Sequence, residues 1–494
     1  MGKFKSWLQG SNAGSSRLAT AEEKKANRRS FSGIGQLKAK REPRNDTGTN
    51  EEESEMTTSL PDMQKATPVD SRLIQLAKII SAETDRLEQY CSSQGIPSPS
   101  FEADARSSFP KLPDNIQRSR QEIVSAANEL SCLARGPHES VRWGVWGIIN
   151  HYGLATLVPV TGSISLVELQ SKTSLDSINL ARILRHAMTN HIFSEPTPGM
   201  IAHTALSRCL AEDAALQDWI GFNSEDIFPA SANVLKALQA YPEATSLTTT
   251  GFNFAFDTVN KEPMFVTFGK NPKLAKRMGR AMASLTGGEG YEVKYFVDNY
   301  NLSEIDEKHG TFVDVGGSHG FVCLDLANKW KNINFVVQDL PKTVESAPSP
   351  ISNDNSVASR ITFQAHDFFQ EQPIKGADVY FFRWIIHNYS TPYAISILKN
   401  LIPSLKPGAR VVINDHCLRQ PGAESPWDDK LMRGMDMIML TLLNAQERDE
   451  NEFKELFAEA DTRFKFQGVT RAEGCRMSVV EAVWNPEDVH DLED

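Results

Sequence analysis

Phe312-Val-Asp-Val-Gly-Gly-Ser-His-Gly320 is an apolar run that breaks into a glycine-rich turn, and Leu324 to Trp330 after it has helical length. A strand, a turn with three glycines and a helix in that order place an approachable backbone at the carboxyl end of a parallel strand. Working outward, Phe335 to Val337, Ile361 to Phe363, Val379 to Phe382 and Val411 to Asn414 are further apolar runs of strand length, separated by helix-length segments. That alternation predicts an α/β fold with a parallel sheet. Phe464 to Val469 and Met477 to Trp484 come last, joined by a short Gly-containing connection. They predict an antiparallel addition that completes a mostly parallel, seven-stranded sheet.

Asp339 closes the second strand, where an acidic side chain can accept from both hydroxyls of a ribose. The turn therefore predicts a nucleoside pocket. A dinucleotide fingerprint needs glycine at its first, third and sixth positions, and counting from Gly316 gives Gly, Ser318 and Phe321. There is no GxxxxGK[ST] phosphate loop, and no Lys or Arg lies in the turn to hold a pyrophosphate. S-adenosylmethionine, with ribose and adenine but no phosphate, is the ligand that survives these exclusions.

The chain ahead of the sheet reads as α-helical. Leu73, Leu76, Ala77, Ile80 and Leu87 recur at helical spacing behind Asp70 or Ser71 as N-cap. Ser165 to Leu169, Asp176 to Met188, and Ile192-Phe193 followed by Pro196, Pro198 and Gly199 have the order of a winged helix. Such a unit can bind DNA, but its second helix offers only Arg182, Arg185 and His186. The net charge of -11 also repels a phosphate backbone, so a packing and dimerisation module is expected and no nucleic-acid partner.

Residues 1–69 read as a disordered, low-complexity tail. Eleven Lys and Arg face three acids up to position 45, and seven acids face only Lys65 between 46 and 70. Met1-Gly2-Lys3-Phe4-Lys5-Ser6 matches the loose myristoylation pattern, so a lipid anchor is a minor alternative. No apolar stretch is long enough to span a bilayer. Six scattered cysteines without a CxxC pair argue for a reducing, cytoplasmic setting and against a metal site. The expected divisions are the tail 1–69, a helical winged-helix part 70–245, a catalytic part 246–485 and a frayed acidic end 486–494.

Six motifs occur in order: Asp314-Val-Gly-Gly-Ser-His-Gly320, Gln338-Asp-Leu-Pro341, His366-Asp-Phe368, Arg383-Trp-Ile-Ile-His-Asn-Tyr-Ser390, Val411-Val-Ile-Asn-Asp-His416 and Asn444-Ala-Gln-Glu447. Together they resemble plant caffeic-acid-type and, more closely, fungal sterigmatocystin-type small-molecule O-methyltransferases. The winged-helix segment with Pro198-Gly-Met-Ile-Ala-His-Thr204 resembles the same family. The resemblance implies a class I Rossmann-like methyltransferase domain behind an α-helical dimerisation domain, and a homodimer.

By the same resemblance Gly316 approaches the cofactor, Asp339 with Leu340 holds its ribose, and Asp367 with Phe368 holds the adenine. Arg383 stands where plant members commonly have Lys. His387 is implied as the general base, flanked by Asp415 and Glu447, and the acceptor is an aromatic small molecule such as a polyketide, methylated at a phenolic hydroxyl. Met282, Trp384, Met439 and Asn444 match positions that line the acceptor pocket. His319 and His416 match no catalytic position and are expected to be structural or pocket wall. Two other readings remain open: a relative that uses bound S-adenosylmethionine without transferring its methyl, and a DNA-binding regulator.

Overall fold

The computed structural model describes residues 70–144 and 146–486. The readings made for the tail 1–69 and for the acidic end from 487 fall outside them.

Helix α1, Arg72–Ser93, starts at Ser71, whose hydroxyl accepts from the Ile74 N–H. It packs along α2, Asp114–Arg142, around a small core of Leu87, Cys91, Leu112 and Ile116. Gly136, at φ 76°, turns α2 just before Pro137, because a proline inside a helix removes a hydrogen bond and clashes with the preceding turn. Leu76 is buried on α1, whereas Leu73 and Ile74 stay exposed.

The winged-helix order is present. β1, Ser163–Ser165, precedes α3, Leu166–Ser171, and α4, Ser177–Met188, and is followed by β2, Ser194–Thr197, and β3, Met200–Ala202. Asp176 caps α4 by accepting from the Ile178 and Asn179 N–H groups, and Leu180, Leu184 and Ala187 turn inward. The three strands form an antiparallel sheet in the order β1-β3-β2. Arg185 of α4 is paired with Glu195 of the wing. Helices continue from here to Glu307, including α5, Ala214–Phe222, and α6, Pro272–Thr286, which pack on each other.

The main sheet follows: β4 Thr311–Val315, β5 Asn334–Asp339, β6 Ile361–Ala365, β7 Val379–Arg383, β8 Arg410–Asp415, β11 Phe464–Thr470 and β12 Ser478–Trp484. The numbers 9 and 10 belong to a separate two-residue bridge, β9 Cys417–Leu418 beside β10 Arg448–Asp449. Helix α7, Phe321–Lys329, follows β4; α8, Thr391–Leu401, follows β7; α9, Pro426–Leu443, and α10, Glu450–Ala460, flank β10. The strand order is β11-β12-β8-β7-β4-β5-β6, parallel except for β12, which runs against both of its neighbours. All seven predicted strands are present, in a class I methyltransferase arrangement.

Phe312, Val313 and Val315 are at most 1% exposed, and burial on both faces explains why β4 is an unbroken apolar run rather than an alternating one. Full burial of each such side chain is worth roughly 1.5–3 kcal/mol. One core runs from Val141 of α2 to Trp484 of β12, so the front helices and the sheet share their apolar interior. Among the described residues no helix is long and apolar enough to cross a membrane.

Candidate active site

The chain runs from β4 outward through β5 and β6, then returns to β7 and β8 on the other side. The order therefore reverses between β4 and β7, and the crevice at their carboxyl ends is where an open α/β sheet takes its ligand. Gly316 ends β4 at φ 78°, and its N–H and that of Gly317 donate to Gln338 O at 2.8 and 3.0 Å. A Cβ on Gly316 would lie 2.6 Å from Ile385 Cδ1 and 3.7 Å from Phe368 Cε1. Only glycine lets the β4 turn approach the β7 loop and Phe368 this closely.

Asp339 grips the same turn. Its Oδ2 accepts from the Ser318 N–H at 3.0 Å and its Oδ1 from the Leu340 N–H at 2.7 Å, with the carboxylate half-buried at the end of β5. Leu340 is exposed. Asp367 Oδ1 accepts from the Phe369 N–H at 3.0 Å, and the Phe368 ring stands edge-on to Tyr389 with centroids 5.7 Å apart. A glycine cradle, a half-exposed acid and an aromatic wall, with no cation in the turn, fit a nucleoside that carries no phosphate. Arg383 is occupied differently from the other cofactor candidates. Its guanidinium donates to Asn414 Oδ1 and to the Tyr291 carbonyl, and burial holds it down at about 10.

Beyond β7, Trp384 adopts φ 56°, a left-handed conformation unusual for an aromatic residue and of the kind that clusters at functional sites. The tight turn Ile386–Asn388 then presents His387, 5% exposed. The His387 N–H donates to Asp415 Oδ2 at 3.0 Å, and Nδ1 lies 2.8 Å from Glu447 Oε1. Arg448, fully buried, donates to the carbonyls of Ile386 at 3.3 Å and Tyr389 at 2.9 Å and so clamps the turn. Glu447 is set by the bridge: Arg448 of β10 lies opposite Cys417 of β9, which brings Glu447 alongside His416. Its N–H donates to Asp436 Oδ1 at 2.8 Å, and its Oε1 is also 3.4 Å from His416 Nδ1.

Burial and charge oppose each other here. Burial alone would lower His387, but the carboxylates of Glu447 and Asp415 raise it above the ordinary imidazole value. Burial would raise Glu447, yet His387 and His416 together hold it down at about 2. Asp415 is raised, chiefly by burial. Glu447 therefore stays ionised and fixes the proton on His387 Nδ1, which leaves Nε2 as the basic nitrogen. No described residue bonds that Nε2.

Of the expected acceptor residues, Trp384 joins this cluster, its ring centroid 4.9 Å from that of His387. Met439 is buried on α9, and Met282 lies partly exposed on α6. No ring contact or hydrogen bond ties either to His387. Asn444 ends α9 at φ 49° and donates through its amide to Ser246 O at 2.8 Å and Thr249 Oγ1 at 3.3 Å. His319, at the exposed turn, pairs with Ser346 Oγ at 3.0 Å. His416, expected to be structural or pocket wall, lies beside Glu447, and Arg448 is a neighbour of the cluster that sequence reasoning did not single out. The one signal available was their direct adjacency to Glu447 and Asp415. A cavity of about 650 Å³ among the front helices, lined by Trp146, Ile148, Tyr152 and Phe228, contains none of these residues.

The O-methyltransferase domain family matches residues 248–463. Chlorophenol O-methyltransferase of Trichoderma longibrachiatum is 61% identical over 430 residues, covering 85% of this chain and 92% of that protein. O-methyltransferase gsfB of Penicillium aethiopicum is 36% identical over 425 residues, covering 84% and 99%. Among solved structures, OxaC in complex with SAH and oxaline has a TM-score of 0.62 at 22% identity, over 84% of this chain and 100% of that one. LepI in complex with SAM has a TM-score of 0.57 at 20% identity, over 83% and 99%, and both of these likenesses bear on the fold. Relatives matched along nearly their whole length, around a sheet of this order, show that the chain belongs to the S-adenosylmethionine-dependent O-methyltransferases that act on small molecules.

Proposed function

We propose that the enzyme methylates a phenolic hydroxyl of a small aromatic acceptor, with His387 as general base and Glu447 and Asp415 as its flanking acids. The observation that carries this reading is the buried 2.8 Å contact between His387 Nδ1 and Glu447 Oε1 beside an unbonded Nε2. The cofactor, held by Gly316, Asp339, Leu340, Asp367 and Phe368, supplies a methyl group on a positively charged sulfur. His387 Nε2 takes the hydroxyl proton as the oxygen gains the methyl.

A phenol of pKa ~10 and an imidazolium of ~6.5 leave that transfer uphill by roughly 5 kcal/mol. The carboxylates narrow the gap by favouring the charged imidazole. The relative at 61% identity is named for chlorophenol, and chlorine substituents acidify a phenol, which narrows it again. Halogenated phenols are therefore the first acceptors to try, ahead of larger polyketides.

Incubation with methyl-labelled cofactor and a panel of phenols and chlorophenols tests the reading. Label in an aryl methyl ether supports it, and labelled cofactor recovered intact across the panel overturns it. The exposed Leu73 and Ile74 on α1, with the family likeness, support a homodimer through the helical part before residue 245. Light scattering should give twice the chain mass, and a monomer at micromolar concentration would remove that assignment.

A further inference from the structure

Glu447 Oε1 faces two imidazoles, and general-base catalysis uses only one. His416 is 0% exposed, directly follows Asp415 at the end of β8, and has Nδ1 3.4 Å from that oxygen. That approach is close enough for charge attraction but is not an aligned hydrogen bond, and Nε2 has no partner. A polar ring left that way carries a desolvation cost that an apolar side chain of similar size would not. The Trp384 indole lies against both imidazoles, with centroids 4.9 Å from His387 and 5.1 Å from His416, and Tyr291 packs 5.7 Å from His416.

The ionisable groups around this centre come from five segments: Asp415 at the end of β8 with His416 just after it, His387 from the turn after β7, Asp436 from α9, Glu447 and Arg448 from the segment after α9, and Tyr291 from the loop after α6. His416 is the one among them whose contact with Glu447 competes with that of His387.

We propose that His416 is a positioning residue. Its Nδ1, 3.4 Å from Glu447 Oε1, draws off part of that carboxylate's negative charge, which sets how tightly His387 keeps the proton taken from the acceptor. The catalytic half of this inference rests on His387 being the base. Its sign is fixed. Without His416 the whole carboxylate charge acts on His387, its protonated form gains, and its titration midpoint rises.

The test is an NMR titration of the His387 ring in the full-length, histidine-labelled enzyme, with the resonance assigned by His387→Gln, alongside kcat/KM against pH. His416→Leu should raise the His387 midpoint by about one unit. The acid limb of kcat/KM should move with it. His416→Asn, whose amide nitrogen can stand near the Nδ1 position, should restore the wild-type midpoint. His416→Met serves as a second apolar variant should the leucine protein fail to fold. A midpoint unmoved in the apolar variants, with rate lost equally at every pH, would make His416 a filler and overturn the proposal. A midpoint that moves while the rate limb stays still would instead remove His387 as base, leaving the shared carboxylate as a structural fact.

Discussion

The two halves of the active site are built from different materials. The cofactor half is mostly backbone: Gly316 and Gly317 bonded to Gln338 O, and Asp339 bonded to the N–H groups of Ser318 and Leu340, all at strand ends that remain partly open. The half proposed to hold the base is side chain on side chain, with His387, Asp415, His416 and Glu447 almost wholly buried. A backbone-built site is most sensitive to added atoms, and a side chain lost there costs only its own contact. A buried charge cluster behaves in the opposite way, because each member's ionisation depends on the others.

The largest expected effect breaks the base half alone. His387→Ala should lower kcat by ~10²- to 10⁴-fold while leaving cofactor affinity nearly unchanged. The loss should shrink along a series of increasingly acidic chlorophenols, which reach the site already ionised. Rates measured across that series settle it, and a loss independent of acceptor pKa would contradict proton removal by His387.

Glu447→Gln comes next. Loss of the carboxylate lowers the His387 midpoint, so the acid limb of the rate profile moves to lower pH. The weaker base should reduce the plateau by roughly ten- to a hundredfold. The same change has a stability signature. Glu447 is held at about 2 in the folded chain, below an unfolded carboxyl near ~4.3. Its stabilisation is therefore present above the unfolded value and is lost as the pH falls toward the folded one. Denaturation of wild type and variant should accordingly converge between those two pH values. A gap that stays constant on acidification would show that the ionised carboxylate is not what stabilises the fold.

Asp339→Ala attacks the cofactor half. A charge-assisted bond to ribose is worth roughly 1.5–3 kcal/mol, so the dissociation constant for S-adenosylmethionine should rise by that amount in calorimetry. The pH midpoint of the rate at saturating cofactor should not move. If it moved, the two halves would be coupled and the contrast between them would fail. The smallest effect is expected from Leu340→Ala at the exposed rim, a few-fold at most in the same titration.

The sheet was legible because β4, β7 and β8 are buried on both faces and therefore read as continuous apolar runs. The N-cap at Ser71 and the winged-helix order were legible from local chemistry. The hydrogen bonds from Asn444 to Ser246 and Thr249 were not, since they depend on where a remote segment ends. His416 shows the limit most clearly. It follows Asp415 directly, yet its partner lies 31 positions away and reaches it through a parallel bridge of only two residues, too short to leave any periodicity. Glu447 was recognised through family likeness, because nothing in the composition of Asn444-Ala-Gln-Glu447 marks it.

That bridge has an evolutionary consequence. β9 and β10 pin both ends of a single excursion that contains the whole of α9 and its methionines. Much of the excursion can be rewritten to suit a new acceptor, provided that Glu447 and Asp436, which accepts from the Glu447 N–H at 2.8 Å, are kept. Exchanging residues 419–435 for those of a relative is thus a modular graft that keeps Asp436 and Glu447 in place. It should transplant acceptor preference and leave the proposed proton-transfer residues unaltered.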